Sequence, residues 1–167
     1  MIKDIRIFSR SEIENLINTD ATWNIEYPWA LISIWGSTSP LIPEGSKIEF
    51  EILASKGCAD YKTIQFHDIT KKQYDRFKNL YKSAEKRFIL FSKSKARNII
   101  NYIDFLKKDE REITLVIHCE QGVSRSGAVG LFVCRYLGLN ERRFKLLHPK
   151  IRPNVFVYDT LCEIAKL

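Results

Sequence analysis

Several classes of protein are excluded by what this chain lacks. No run of apolar residues approaches the ~20 needed to cross a bilayer. The first residues, Met1-Ile2-Lys3-Asp4, carry an acid early and lack the apolar core of a secretory signal. The four cysteines, Cys58, Cys119, Cys134 and Cys162, show no paired metal-ligand spacing. His67 sits beside Asp68, but with only 3 histidines in the chain a metal centre is not expected. There is no internal repeat, no low-complexity tract and no basic tail. A cytoplasmic protein without metal or cofactor is the expectation.

What is present fits one domain spanning 1–167. A chain of 167 residues, 45% of them apolar, can bury one substantial core and is too short for two. Lys and Arg number 27 against 20 Asp and Glu, a net charge of +7. The bases cluster at Lys71-Lys72, Lys78, Lys82, Lys86-Arg87, Lys93, Lys95, Arg97 and Arg142-Arg143. Such a balance favours anionic partners. The bases alternate with acids and apolar residues, however, as on solvated helical faces, so a nucleic-acid partner is not expected.

The most informative stretch is Ile117-His118-Cys119-Glu120-Gln121-Gly122-Val123-Ser124-Arg125-Ser126-Gly127. The apolar run 113–117 reads as a buried strand. The apolar segment 128–137 reads as a helix, with Gly138 as its stop. Cys119 is thus placed in a turn between a strand end and a helix start. A helix N-terminus offers unpaired N–H groups and a positive dipole end, which bind an anion and lower a thiol's pKa. Arg125 adds a planar fork of donors suited to phosphate oxygens. Gly122 allows the loop to curl so that successive amides point inward. Ser126 can donate to the sulfur. The combination suits a phosphoryl group held over a thiolate.

The coarse pattern is α/β. Ser9 and Glu12 form a capping box opening a helix through Asn18. Strands are expected at 29–34, at 62–69 and, from the alternation of Ile48, Phe50 and Ile52, at 47–53. Ser37-Thr38-Ser39-Pro40 breaks the first of them. Thr70 and Ser92 can each cap a helix. Ala96, Ile99, Ile100, Ile103 and Leu106 make 94–108 an amphipathic helix. A short helix over 140–147 ends at His148-Pro149, and Asn154 caps a last one. Strand, helix, strand is the parallel crossover pattern, so the fold expected is a single-domain, mostly parallel central sheet flanked by helices.

The loop resembles the signature of the protein tyrosine phosphatase superfamily: His-Cys, five residues, Arg, then Ser or Thr. The small dual-specificity branch is the nearest likeness, through His118-Cys119 and Gly122-x-Ser124-Arg125-Ser126-Gly127. The resemblance is strong over 113–137 and diffuse elsewhere. It implies a phosphatase-like fold and a Cys-dependent phosphomonoesterase acting on phosphotyrosine in proteins, with or without phosphoserine and phosphothreonine. Cys119 would attack phosphorus to form a phosphocysteine. Glu120, Gln121, Gly122, Val123, Ser124 and Arg125 would cradle the phosphate. His118 would hold the loop and tune the thiolate, and Glu120 would restrain the Arg125 fork.

The family also implies an acid that protonates the leaving group. Its usual place, a loop ahead of the helix before the Cys strand, corresponds to 85–94, which contains no Asp. Asp68, in Phe66-His67-Asp68-Ile69, is the candidate, because it ends an expected strand on the sheet edge that should bear the Cys119 loop. Phe-x-Asp-Ile and the Ile-Arg-Pro of Ile151-Arg152-Pro153 both resemble segments of a bacterial group of tyrosine phosphatases. Asp104 and Asp109 are expected to face solvent. Two alternatives stand beside catalysis on phosphoproteins. One is a phosphopeptide-binding module with weak turnover. The other is a lipid or RNA phosphatase, disfavoured by a cradle with one acid and no base between Cys119 and Arg125.

Overall fold

The computed structural model describes residues 1–19, 25, 28–37, 40–41, 47–81 and 87–167. Thr38 and Ser39 of the expected break after the first strand, the bases Lys82 and Lys86, and Glu85 lie outside them. The elements in order are β1 Ile2–Ser9, α1 Arg10–Asn18, β2 Trp29–Trp35, α2 Lys47–Ser55, β3 Cys58–Gln65 and α3 Lys71–Leu80. They continue as α4 Lys93–Lys107, β4 Ile113–Cys119, α5 Arg125–Tyr136, α6 Glu141–Leu147 and α7 Val155–Ala165. The strands form one parallel sheet in the order β1-β4-β2-β3.

Alternating side chains split the core between two faces. Ala30, Ile32 and Ile34 of β2 join Ile113, Leu115 and Ile117 of β4 against α4, α5 and α7. Trp29 and Leu31 of β2, with Val116 of β4, meet Ile13 and Leu16 of α1 and Leu53 of α2. Because every strand runs the same way, the β1, β2, β3 and β4 ends all open onto one edge, where parallel sheets keep their ligands.

Most of the expected elements are present, with boundaries moved by a few residues. Ser9 and Glu12 make both bonds of the capping box, as do Thr70 and Gln73 on α3. Ser92, Asn140 and Asn154 cap α4, α6 and α7.

Two expectations are corrected, and one strand is added. Segment 47–53 is helical, not a strand. Parallel neighbours β2 and β3 need a crossover to return the chain to the same sheet end. Leu53 is buried on that crossover, and Phe50 packs on Tyr61 with ring centroids 5.4 Å apart. The third strand runs Cys58–Gln65, so residues 66–69 are loop and not its continuation. Residues 2–9, to which the sequence analysis assigns no element, form β1 in register with β4, from Ile5 opposite Leu115 to Ser9 opposite Cys119. Lys3, Asp4 and Arg6 put charge on this edge strand. Charge protects an edge from foreign pairing and also obscures the alternation.

Candidate active site

β4 ends at Cys119 and α5 begins at Arg125, so the loop between them sits at the sheet's open edge. Its shape follows from where its carbonyls are held. The Glu120 carbonyl accepts the Arg10 N–H at 3.2 Å. The Val123 carbonyl accepts the Arg152 N–H at 3.1 Å, and the Ser124 carbonyl accepts Ala128 and Asn154 at 2.9 and 3.2 Å. Trans peptides place N–H opposite C=O. With these carbonyls tied outward, the N–H groups of Gln121, Ser124 and Arg125 turn to the other side, as an anion nest requires. Gly122 makes the turn at φ +68°. A Cβ there would also come within 2.7 Å of the Phe8 carbonyl carbon and 2.8 Å of Ser9 N, both rigid backbone.

Cys119 lies at the floor, 3% exposed. Burial pushes its thiol pKa up, but opposing contacts win and the pKa is lowered. The Ser126 hydroxyl, 3.1 Å from Sγ, is the largest of them, followed by the Ser126 backbone N–H, the Arg125 charge and the Val123 N–H. Alkylation by iodoacetate should therefore titrate below the ordinary thiol range. Ser126→Ala should move that midpoint upward. A midpoint unmoved in this variant would show that the hydroxyl does not hold the thiolate.

Arg125 is buried at 8% exposure. Its Nη1 donates to the Phe66 carbonyl at 3.0 Å, while the buried Nε meets no hydrogen-bond acceptor among the described residues. One end of the fork is thus anchored and a donor is left over. The anchor is the Phe66 carbonyl, and Glu120 stands exposed beside the loop. Gly36 makes room for the guanidinium, since a Cβ there would stand 2.9 Å from Nη1.

His118 is buried with Nε2 2.8 Å from Ser33 Oγ, tying β4 to β2 just below the loop. Burial holds its pKa down to about 4 against the pull of the Cys119 backbone, so the ring is neutral near pH 7. This suits a structural support for the loop and not a proton carrier.

Asp68 is brought to the same place. Its Oδ1 accepts the Ser124 hydroxyl at 2.8 Å and the Asn154 amide at 2.8 Å, and the side chain is exposed at the mouth of the loop. Neither bond uses the second carboxyl oxygen. The rival carboxylates are engaged elsewhere. Asp104 accepts the Tyr136 hydroxyl at 3.0 Å. Asp109 is gripped by the Arg111 fork, which holds its pKa at about 2.

Several residues here were missed by sequence reasoning. In the sequence, His67 raises only the question of a metal. Its Nδ1 accepts the Ile89 N–H at 2.8 Å, so the neutral ring carries its proton on Nε2, 3.0 Å from Ser37 Oγ. Burial lowers its pKa, outweighing the Ile89 backbone contact, and the Arg125 charge adds to the effect. The ring pins the 66–68 turn that supplies both the Phe66 carbonyl and Asp68. Asn154 shows in the sequence only as a helix cap. It also bonds Asp68, a tie across 86 residues that no local signal could reveal. Among the described residues, no three His, Cys, Asp or Glu side chains gather as metal ligands.

A parallel α/β sheet with a Cys-loop-Arg turn at its open edge defines a protein-tyrosine-phosphatase-like fold. Tk-PTP, a protein tyrosine phosphatase solved in its active form, superposes with TM-score 0.50 at 17% identity, covering 98% of this chain and 92% of that one. A mutant form of Tk-PTP gives TM-score 0.46 at 15% identity, covering 98% and 87%. The likeness is one of fold. No family model matches the chain. No curated protein matches its sequence.

Proposed function

We propose that the protein is a cysteine-dependent phosphomonoesterase acting on phosphotyrosine in proteins. One observation carries this reading most directly. A buried thiol with a lowered pKa lies under a loop whose amides turn inward, beside a buried guanidinium with one donor unused. A phosphoryl dianion satisfies all of these groups together.

The chemistry proceeds in two displacements. Phosphate oxygens bind to the loop amides and to the Arg125 fork. The Cys119 thiolate attacks phosphorus, forming the S–P bond as the substrate P–O bond breaks. The departing oxygen takes a proton from the Asp68 carboxyl. Water then attacks the phosphocysteine, losing its proton to Asp68, and the S–P bond breaks. The Ser126 hydroxyl stabilises the returning thiolate. No cofactor is required by these steps. Purified protein should hydrolyse p-nitrophenyl phosphate and phosphotyrosyl peptides in the presence of EDTA. No turnover of either would sink the reading.

The acid role of Asp68 has its own signature. Proton donation contributes about 10²–10⁴-fold where the leaving group is a poor one, and little where the phenol is already acidic. Asp68→Asn should therefore slow hydrolysis of an alkyl or simple aryl phosphate far more than that of a dinitrophenyl phosphate. The asparagine can still accept the Ser124 and Asn154 bonds, so the loop is preserved. Asp104→Asn and Asp109→Asn should leave the series nearly flat. Equal losses on good and poor leaving groups in Asp68→Asn would place the acid elsewhere.

A further inference from the structure

We propose that the groove on the β1 side of the phosphate loop is a subsite for polypeptide flanking the phosphorylated residue, selecting an apolar side chain next to acidic ones. This deepens the phosphatase reading and rests on it for the position of the phosphate. The groove is a hollow of about 530 Å³ running directly from Gln121, Gly122 and Val123. Its other walls are the end of β1, at Ile7 and Ser9, and the 147–151 turn between α6 and α7. Asp68 follows β3, at the opposite edge of the sheet from β1. A peptide crossing the loop from the Asp68 side therefore runs into the groove, at about 3.3 Å per extended residue.

The lining sets the ligand chemistry. Ile7, Val123, Leu147, Pro149 and Ile151 make an apolar floor. Leu146 stands 72% exposed beside it, and Leu147 45%. Lys150 is in the wall, Arg143 lines an adjoining hollow that shares Leu147, and Arg152 follows in the chain. All three are exposed and have no carboxylate partner among the described residues. Arg152 Nη1 donates to the Pro149 and Ile151 carbonyls at 3.2 and 2.8 Å, which fixes its position at the turn. Nearby bases are already neutralised: Lys145 pairs with Glu141, Arg6 with Asp4 and Arg10 with Glu14. Glu12, which also lines the groove, keeps its charge while accepting the Ser9 N–H and hydroxyl, and is outnumbered by Lys150, Arg143 and Arg152. An apolar trough with uncompensated cations complements an acidic peptide.

The test uses two phosphotyrosyl peptides of equal length, with Leu-Glu-Glu or Leu-Lys-Lys on both sides of the phosphotyrosine. Binding to the Cys119→Ser protein is followed by fluorescence anisotropy. The acidic peptide should bind about tenfold tighter at low salt, and the advantage should shrink as salt rises. Lys150→Glu in that background should cancel or reverse the preference, and Leu147→Ser should weaken both peptides. Equal affinities, or a preference that Lys150→Glu leaves intact, would overturn the proposal. So would binding to phosphatidylserine vesicles that Lys150→Glu abolishes while the two peptides bind alike, since the face would then belong to a membrane surface. Failure of the wild type on p-nitrophenyl phosphate would overturn the phosphatase reading instead, while the binding ratios still report on the groove.

Discussion

Cys119→Ser should reduce turnover by at least about 10⁴-fold while leaving phosphate binding intact. The two effects separate because different atoms carry them. The loop amides and the Arg125 fork hold the phosphoryl oxygens without using Sγ. Only the thiolate attacks phosphorus, and a serine hydroxyl does not ionise at neutral pH under the same contacts. Serine keeps the size of the side chain and can still meet the Ser126 hydroxyl, so the 3.1 Å contact at the loop floor has a successor. Removing the thiolate also removes its repulsion toward a phosphate dianion, so orthovanadate or inorganic phosphate should bind at least as well as to wild type. Steady-state rates on p-nitrophenyl phosphate, beside calorimetric titration with phosphate, read both halves. Residual activity near that of wild type would mean that another group attacks.

The second large effect is expected at Arg125. Arg125→Lys keeps the charge and loses the planar fork. Nη1 can then no longer anchor on the Phe66 carbonyl while Nε and the remaining amine face the ligand. Loss of one oriented donor to a developing oxyanion costs about 10²–10³-fold in rate. Substrate binding should weaken as well, because the fork already grips the ground state. Gly36→Ala offers an independent approach to the same point. Its Cβ would stand 2.9 Å from Nη1, the tip of a flexible side chain, so the guanidinium shifts and the fold survives. Activity should fall with little change in melting temperature. An Arg125→Lys enzyme with wild-type kinetics would show that charge alone suffices, and a fully active Gly36→Ala would show that the fork tolerates displacement.

The sheet and the loop were legible to different degrees. β4 is buried along its whole length and reads as an apolar run. β1 is an edge strand, paired with β4 alone among the described residues, and Lys3, Asp4 and Arg6 interrupt its apolar residues. Segment 47–53 alternated like a strand over a few residues, too short a window to separate the two periods. The need for a crossover between parallel neighbours made it α2. For Asp68, the sequence supported a place on the correct edge of a parallel sheet. It could not show that Ser124 and Asn154 meet its carboxylate.

The sequence by itself determined the strand–loop–helix that carries Cys119 and Arg125. Every signal in it is local: a β-branched run, a glycine at a turn that needs positive φ, and an Arg six residues after the Cys. Tertiary structure alone decided what surrounds that loop. The Phe66 carbonyl reaches Arg125 across 59 residues, Asp68 reaches Ser124 across 56, and Asn154 reaches Asp68 across 86. Those meetings depend on the strand order β1-β4-β2-β3, which brings the β3 loop and the start of α7 to the same edge as the end of β4. Strand order is set by how apolar faces pack over the whole sheet, and no short stretch of chain records it.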